Sequence, residues 1–435
     1  MERSEFERRR RELMAMMGEG SIAVVPTAPE RTRNRDVLYP FRPDSDFYYL
    51  SGFAEPEAVL VLIPGREHGE YILFCRERDP QREQWDGLRA GQEGAVKRYG
   101  ADDSFPIDDI DDILPGLMEG CERVYYTMGV DLEFDHRVIG WVSHVRERTR
   151  AGIRAPSEFV SLEHLLHEMR LIKSRAEVEV MRRAAQISAA AHRRAMEVCR
   201  PGMMEYEIEA EFEAIYRRYN GRAAYPSIVG GGRNGCILHY IENDARLEDG
   251  DLLLIDAGVE IEYYASDITR TFPVNGRFSP EQKAVYEIVL AAQEAAIAEV
   301  RPGRSWNAPH EAAVRVLTQG LLDLGLLKGS LDEALEQESY RPFYMHRTGH
   351  WLGMDVHDVG DYKIDSHWRE LEPGMVTTIE PGLYFSPMLE GVDERFIGIG
   401  VRIEDDVLVT ASGHEILSEG APKAVDEIEA LMGGR

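Results

Sequence analysis

Two hydrophobic rhythms alternate along the first part of the chain. Residues 4–17 form a charged amphipathic run that predicts a short helix. SIAVV (21–25) predicts a strand, 46–65 a strand pair, and EYILFC (70–75) a further strand. A helix is expected over 89–99, acidic loops over 101–112, and a strand-like run over 123–129. Strands alternating with helices predict an α/β domain over residues 1–172, with a boundary near Leu171–Ser174.

Beyond that boundary the pattern changes. Met181, Ala185, Ser188, Ala191, Ala195 and Val198 make a small apolar stripe at helical spacing, predicting one long helix over 175–199. It stops at Arg200-Pro201-Gly202. A shorter helix carrying Ile208, Phe212 and Ile215 runs to Asn220-Gly221. The arrangement then recurs. Ser279-Pro280-Glu281-Gln282 has the form of a capping box with proline at the first helical position. Its helix stops at Arg301-Pro302-Gly303, and another helix follows over 309–325. Two helix–helix–strand halves imply an internal duplication, which would place a site where the halves meet.

Acidic residues interrupt the apolar strands of this second part. Leu252–Ile255 reads as a strand buried on both faces, and Asp256 ends it. Asp267 follows in EYYASDITRTF (262–272), where a hairpin would set it beside Asp256. Glu380 falls within MVTTIEPGLY (375–384), on one strand face with Thr378, Gly382 and Tyr384. Glu404 shares a strand face with Arg402 in GIGVRIEDDVLVT (398–410). Buried carboxylates are costly to ionise unless neutralised, paired or bound to metal. Four together repel and require cations; two divalent ions would balance them. His346, His350 and His357 lie in HRTGHWLGMDVHDVG, a Gly-rich stretch with weak helical periodicity, and His239 lies in CILHY.

Composition narrows the class. The 435 residues carry 50 Lys+Arg against 78 Asp+Glu, a formal charge of −28. Such a surface argues against nucleic acid and anionic lipid as partners. Cys75, Cys121, Cys199 and Cys236 are scattered, as expected for reduced thiols in a cytoplasmic protein. Neither a signal-peptide pattern nor a membrane-length apolar run is found.

HWLGMDVHDVG, EPGLY, GIGVRIEDD, DAG followed by ASDITRTF, and NGCILHY occur in an order and spacing that resembles the Xaa-Pro aminopeptidases of the pita-bread metallopeptidase family. YPFRPDSDFYYLSGFAEPEAVLVL (39–62) resembles that family's N-terminal domain, so the likeness covers nearly the whole chain. It implies an α+β protein: an α/β N-terminal domain over 1–172, then a pseudo-twofold pita-bread catalytic domain over 173–435. It implies metal ligands at Asp256, Asp267, His350, Glu380 and Glu404, and catalytic roles for Glu380, His357 and His239. Arg402, Tyr384 and His346 would border the substrate. A second arginine that some relatives carry before LEPGM is replaced locally by His367-Trp368-Arg369.

The oxygen-rich ligand set suits Mn²⁺ best, with Co²⁺, Fe²⁺ or Zn²⁺ also acceptable. The implied reaction is hydrolysis of the bond before proline in peptides with proline second, by a homodimer or homotetramer. A prolidase would share the ligands but needs a group, such as Arg402, to grip a dipeptide's carboxylate. A non-catalytic peptide-binding protein of the same fold would lack ligands that are intact here. Gly230–Gly235 matches G-x-G-x-x-G, but CILHYIEN after it reads as a strand rather than the helix a dinucleotide site requires.

Overall fold

A computed structural model of the chain describes residues 1–433. It divides into two compact units, Met1–His167 and Glu168–Arg435. Residues 171–174, where the sequence pattern changes, fall inside the second unit. Arg170 and Lys173 both donate to the buried Asp358 carboxylate, at 2.6 and 2.8 Å, and the Lys173 amide bonds Gly374 O.

The first unit is built on a mixed six-stranded sheet. Its order is Asp103–Pro106, Tyr71–Cys75, Val59–Leu62, Ser21–Pro26, Arg123–Tyr125, Glu158–Val160. Ser21–Pro26 pairs antiparallel with Val59–Leu62 and parallel with Arg123–Tyr125, as connections through helices allow. Ile22, Val24, Val61, Phe74, Leu114 and Trp141 share one core cluster. The strand pair expected over 46–65 is instead a helix, Ser45–Ser51, followed by one strand. Asp44 caps that helix by accepting from the Phe47 amide at 2.9 Å, a local bond that outweighs the β propensity of Phe47, Tyr48 and Tyr49.

The second unit has two halves. In the first, helices Arg175–Val198 and Glu205–Arg218 pack together beside the sheet Ile228–Gly231, Leu252–Asp256, Thr269–Pro273. In the second, helices Pro280–Ala298 and Ala308–Asp323 accompany the sheet Val376–Ile379, Asp405–Val409, His414–Ile416. Ser174 with Glu177, and Ser279 with Gln282, close reciprocal capping boxes at the two long helices. The duplicated pattern is therefore real at the level of elements. A short ladder, Gly382–Tyr384 with Gly400–Arg402, completes the second half.

Three local expectations change. CILHY is not a strand: a 3₁₀ turn, Gly232–Cys236, runs into irregular chain. HRTGHWLGMDVHDVG is not helical, since the glycines serve close backbone approach instead. Only one of the four strand acids lies in a strand.

Candidate metal centre

Asp256 is the last residue of the central strand Leu252–Asp256, opposite Thr269 on one side and Ile228 on the other. Asp267 is not on the paired strand. A tight hairpin, Val259–Ile261 with Tyr264–Ala265, intervenes and turns at Glu262 and Tyr263, both at positive φ. Its base closes through Gly258, where a Cβ would stand 1.7 Å from Ser266 O. Asp267 then sits just before the returning strand, its amide 3.2 Å from both oxygens of buried Asp406.

Glu380 and Glu404 occupy matching breaks. Pro381, which has no amide proton, separates Val376–Ile379 from Gly382–Tyr384, and Glu380 projects at the interruption. Glu404 lies between Gly400–Arg402 and Asp405–Val409, its amide on Thr269 O. Next to it, fully buried Arg270 and Asp405 pair at 2.7 Å, and Arg270 also donates to Glu404 O.

His350 arrives from the loop 345–359, which is held against Val376–Ile379. Thr378 N donates to His350 O at 2.9 Å, and His350 N donates to Thr378 Oγ1 at 3.1 Å. Gly349 permits this approach: a Cβ there would lie 2.0 Å from Thr378 O. His350 Nδ1 faces Trp351 O at 2.9 Å, so it carries the proton. Nε2 is left pointing at Asp267 Oδ2, 3.3 Å away, and Glu380 Oε1, 3.8 Å away. Donor atoms of Asp267, His350 and Glu404 all lie within 4.8 Å of one another.

Burial raises the Asp256, Glu380 and Glu404 pKa values, and neighbouring carboxylates add to it; Glu380 reaches about 7 and Glu404 lies well above its ordinary range. Burial also opposes a charged His350, but Asp267 and Glu380 outweigh it and lift the imidazole to about 9. These are the electrostatics of acids short of positive charge. Four carboxylates and the His350 imidazole, whose Nε2 becomes a donor once a cation displaces its proton, form a hard, anionic donor set that fits divalent cations.

Arg402 contributes within the cluster. It donates from Nη2 to Asp256 Oδ2 at 2.6 Å, from Nη1 to Tyr384 Oη at 3.1 Å, and from Nε to Thr269 Oγ1 at 3.2 Å. Tyr384 is fully buried, and its hydroxyl also meets His346 Nε2 at 2.8 Å. His357 packs edge-on to His350 with ring centroids 4.4 Å apart. His239 and His357 are both exposed on the wall of a pocket of about 940 Å³ that is also lined by Asp256, Asp267, Glu380 and Glu404. Arg369 does not line it; it is buried in a paired contact with Glu168, 2.7 Å from Nη1 to Oε1.

Tyr225 escaped the sequence reading. Its hydroxyl lies 2.7 Å from Asp256 Oδ1 and 2.5 Å from Asp267 Oδ1, between the two aspartates. It belongs to an irregular segment before Pro226, where no periodicity could have marked it. The wall formed by Trp306, Tyr362 and Trp368 was also unmarked, because two segments far apart in the chain, the turn at Trp306 and the hairpin Lys363–Ile364 with His367–Trp368, build it.

Residues 179–411 match the model of metallopeptidase family M24, and residues 6–125 match that of the aminopeptidase P N-terminal domain. The chain is 48% identical over 432 residues to the Xaa-Pro aminopeptidase of Escherichia coli (strain K12), covering 99% of this chain and 98% of the relative. The structure of Pseudomonas aeruginosa aminopeptidase PepP matches with a TM-score of 0.99 at 62% identity, over 100% of this chain and 98% of that one. Aminopeptidase P from E. coli with the inhibitor Pro-Leu matches with a TM-score of 0.96 at 47% identity, again over 100% and 98%. The fold, the acid cluster and the full-length likeness together make this chain a member of metallopeptidase family M24, in its Xaa-Pro aminopeptidase branch.

Proposed function

We propose that the protein is a dinuclear Xaa-Pro aminopeptidase that releases the first residue from peptides with proline second. The observation that carries this reading is the convergence of four carboxylates and His350 Nε2 on one pocket wall. Asp256, Asp267, His350, Glu380 and Glu404 would hold two divalent ions, Mn²⁺ by preference for such oxygen donors. Bound there, the ions would acidify a water and polarise the scissile carbonyl.

The chain's own groups do the rest. Glu380, lifted by burial to about 7, can take a proton from water and return it to the leaving proline nitrogen. His239 and His357 present ring N–H groups to the pocket and donate to the substrate carbonyl as charge develops on it. Burial and His350 keep the His357 pKa below its ordinary value, favouring a neutral donor. Ile228, Leu238, Ile241 and Val356 offer apolar surface to the proline ring. The remaining carboxylate charge attracts the substrate's α-ammonium. Tyr225 orients Asp256 and Asp267, and the Asp256–Arg402–Tyr384–His346 chain of hydrogen bonds fixes the far wall.

A prolidase activity would need a group free to grip a dipeptide carboxylate. Arg402 is engaged by three partners inside the cluster, which favours the aminopeptidase. The four free cysteines suit a reducing cytoplasm, and the family resemblance supports a homodimer or homotetramer. The test is hydrolysis of Xaa-Pro peptides of increasing length by metal-stripped protein with Mn²⁺, Co²⁺ or Zn²⁺ restored. Cleavage of tripeptides and longer peptides is expected. Activity confined to dipeptides would replace this reading with prolidase.

A further inference from the structure

One arginine at the pocket has no acidic partner. Arg347 is exposed, lines the same pocket as the acid cluster, and lies with its guanidinium carbon 4.9 Å from the Trp368 ring centroid and 5.6 Å from that of Trp306. Its Nη2 donates to Asn307 Oδ1 at 2.5 Å, which fixes the fork against the two indoles. Lys363 Nζ stands 4.2 Å from the same Trp368 centroid. Among the described residues neither cation makes an ion pair, although the chain holds 78 acids for 50 Lys+Arg. A cation left unpaired in so acidic a protein, and preordered on aromatic faces, is suited to an anion brought by the ligand.

The direction of the substrate follows from charge. Under the aminopeptidase reading, on which this inference rests, the free α-ammonium lies at the acid cluster, where Asp267 and Glu404 are 5% and 1% exposed. The peptide must then run outward, towards the exposed part of the wall that holds Arg347. We propose that Arg347, seated on Trp368 and Trp306, binds a carboxylate on the leaving portion of the peptide. This gives the enzyme a preference for short substrates or for those with an acidic third residue. Lys363 adds long-range attraction. A guanidinium fork suits a carboxylate bidentately, so lysine at position 347 should recover only part of the preference.

Three substrates distinguish the source of the carboxylate: Ala-Pro-Leu, Ala-Pro-Leu amide and Ala-Pro-Glu amide. In low salt the free acid should exceed the Leu amide about tenfold in kcat/KM, as a charge-assisted contact provides. The ratio should fall near one in Arg347→Gln and shrink with added salt. If the Glu amide instead shows the Arg347-dependent gain, the carboxylate bound is a side chain. Equal ratios in wild type and Arg347→Gln, for both comparisons, overturn the proposal. Tryptophan fluorescence titration with Pro-Leu and its amide reads the same preference without turnover. Failure of the wild type to cleave any of the three peptides rejects the aminopeptidase reading. Identical acid-to-amide affinity ratios in wild type and Arg347→Gln reject the role of Arg347.

Discussion

Gly349→Ala tests whether close backbone approach sets the His350 position. The added Cβ would lie 2.0 Å from Thr378 O, whereas real Cβ contacts essentially never fall below 3.0 Å. The loop must therefore move away from Val376–Ile379 by at least about 1 Å, against interior packing that resists such shifts. That displacement stretches the Thr378 N–His350 O bond from 2.9 Å beyond hydrogen-bond range. It also carries Nε2 away from Asp267 and Glu380. Metal ligation tolerates about 0.2 Å, and an error of 1 Å in a reacting geometry costs about 10²-fold in rate. Expected outcomes are at least 10²-fold lower kcat/KM, sub-stoichiometric metal, and a stability loss of about 1–3 kcal/mol from overpacking. Activity on an Xaa-Pro tripeptide, metal content by mass spectrometry and urea unfolding provide the three readouts. Gly413→Ala is the control, because a Cβ there meets nothing within 4 Å. Wild-type metal content and activity in Gly349→Ala would refute the argument.

Asp267→Ala should lose metal and activity while keeping its circular dichroism spectrum; retained metal stoichiometry would remove Asp267 from the ligand set. Asp405 is fully buried and accepts from Arg270, Lys423, Gln293 and Ser418, each at 2.7 Å. Asp405→Ala leaves buried Arg270 without its counter-charge and should cost about 3–5 kcal/mol in urea unfolding; a loss under 1 kcal/mol would contradict this. His192 is fully buried, and desolvation first, with Arg270 adding, pushes its pKa down to about 3. The unfolded chain takes up a proton near pH 6.5 that the folded chain refuses. Stability should therefore be complete above that pH and fall as pH drops, by about 1.4 kcal/mol per unit. The slope between pH 6 and 4.5 should be shallower in His192→Gln, and an equal slope would assign the acid sensitivity elsewhere.

The long helices were legible because their periodicity and caps are local: Ser174 with Glu177 and Ser279 with Gln282 close within four residues. Buried central strands such as Leu252–Asp256 were legible because four consecutive apolar residues too short for a helix, bounded by Asp251 and Asp256, fit a strand buried on both faces. The segment 46–51 was misread because the Asp44 cap competes with aromatic β propensity, and tertiary packing selects the helix. A carboxylate beside an apolar run marks each of the four acids in the sequence, yet three of the four lie at strand breaks. A period-two pattern continues on paper through Pro381 and Ile403, where the backbone ladder does not.

What the sequence determined alone was therefore the inventory: two kinds of domain, a doubled helix–helix–strand plan, an excess of acid, and a motif order that resembles one family. These depend on local spacing and composition. Tertiary structure decided the arrangement. It interposed a second hairpin between Asp256 and Asp267, set Tyr225 between them, committed Arg402 and Arg369 to internal partners, and left Arg347 over two tryptophans with no acidic partner among the described residues. The hairpin apart, each of those outcomes is a contact between residues distant in sequence. Its existence depends on competing partners brought together by folding, a competition that no local pattern records.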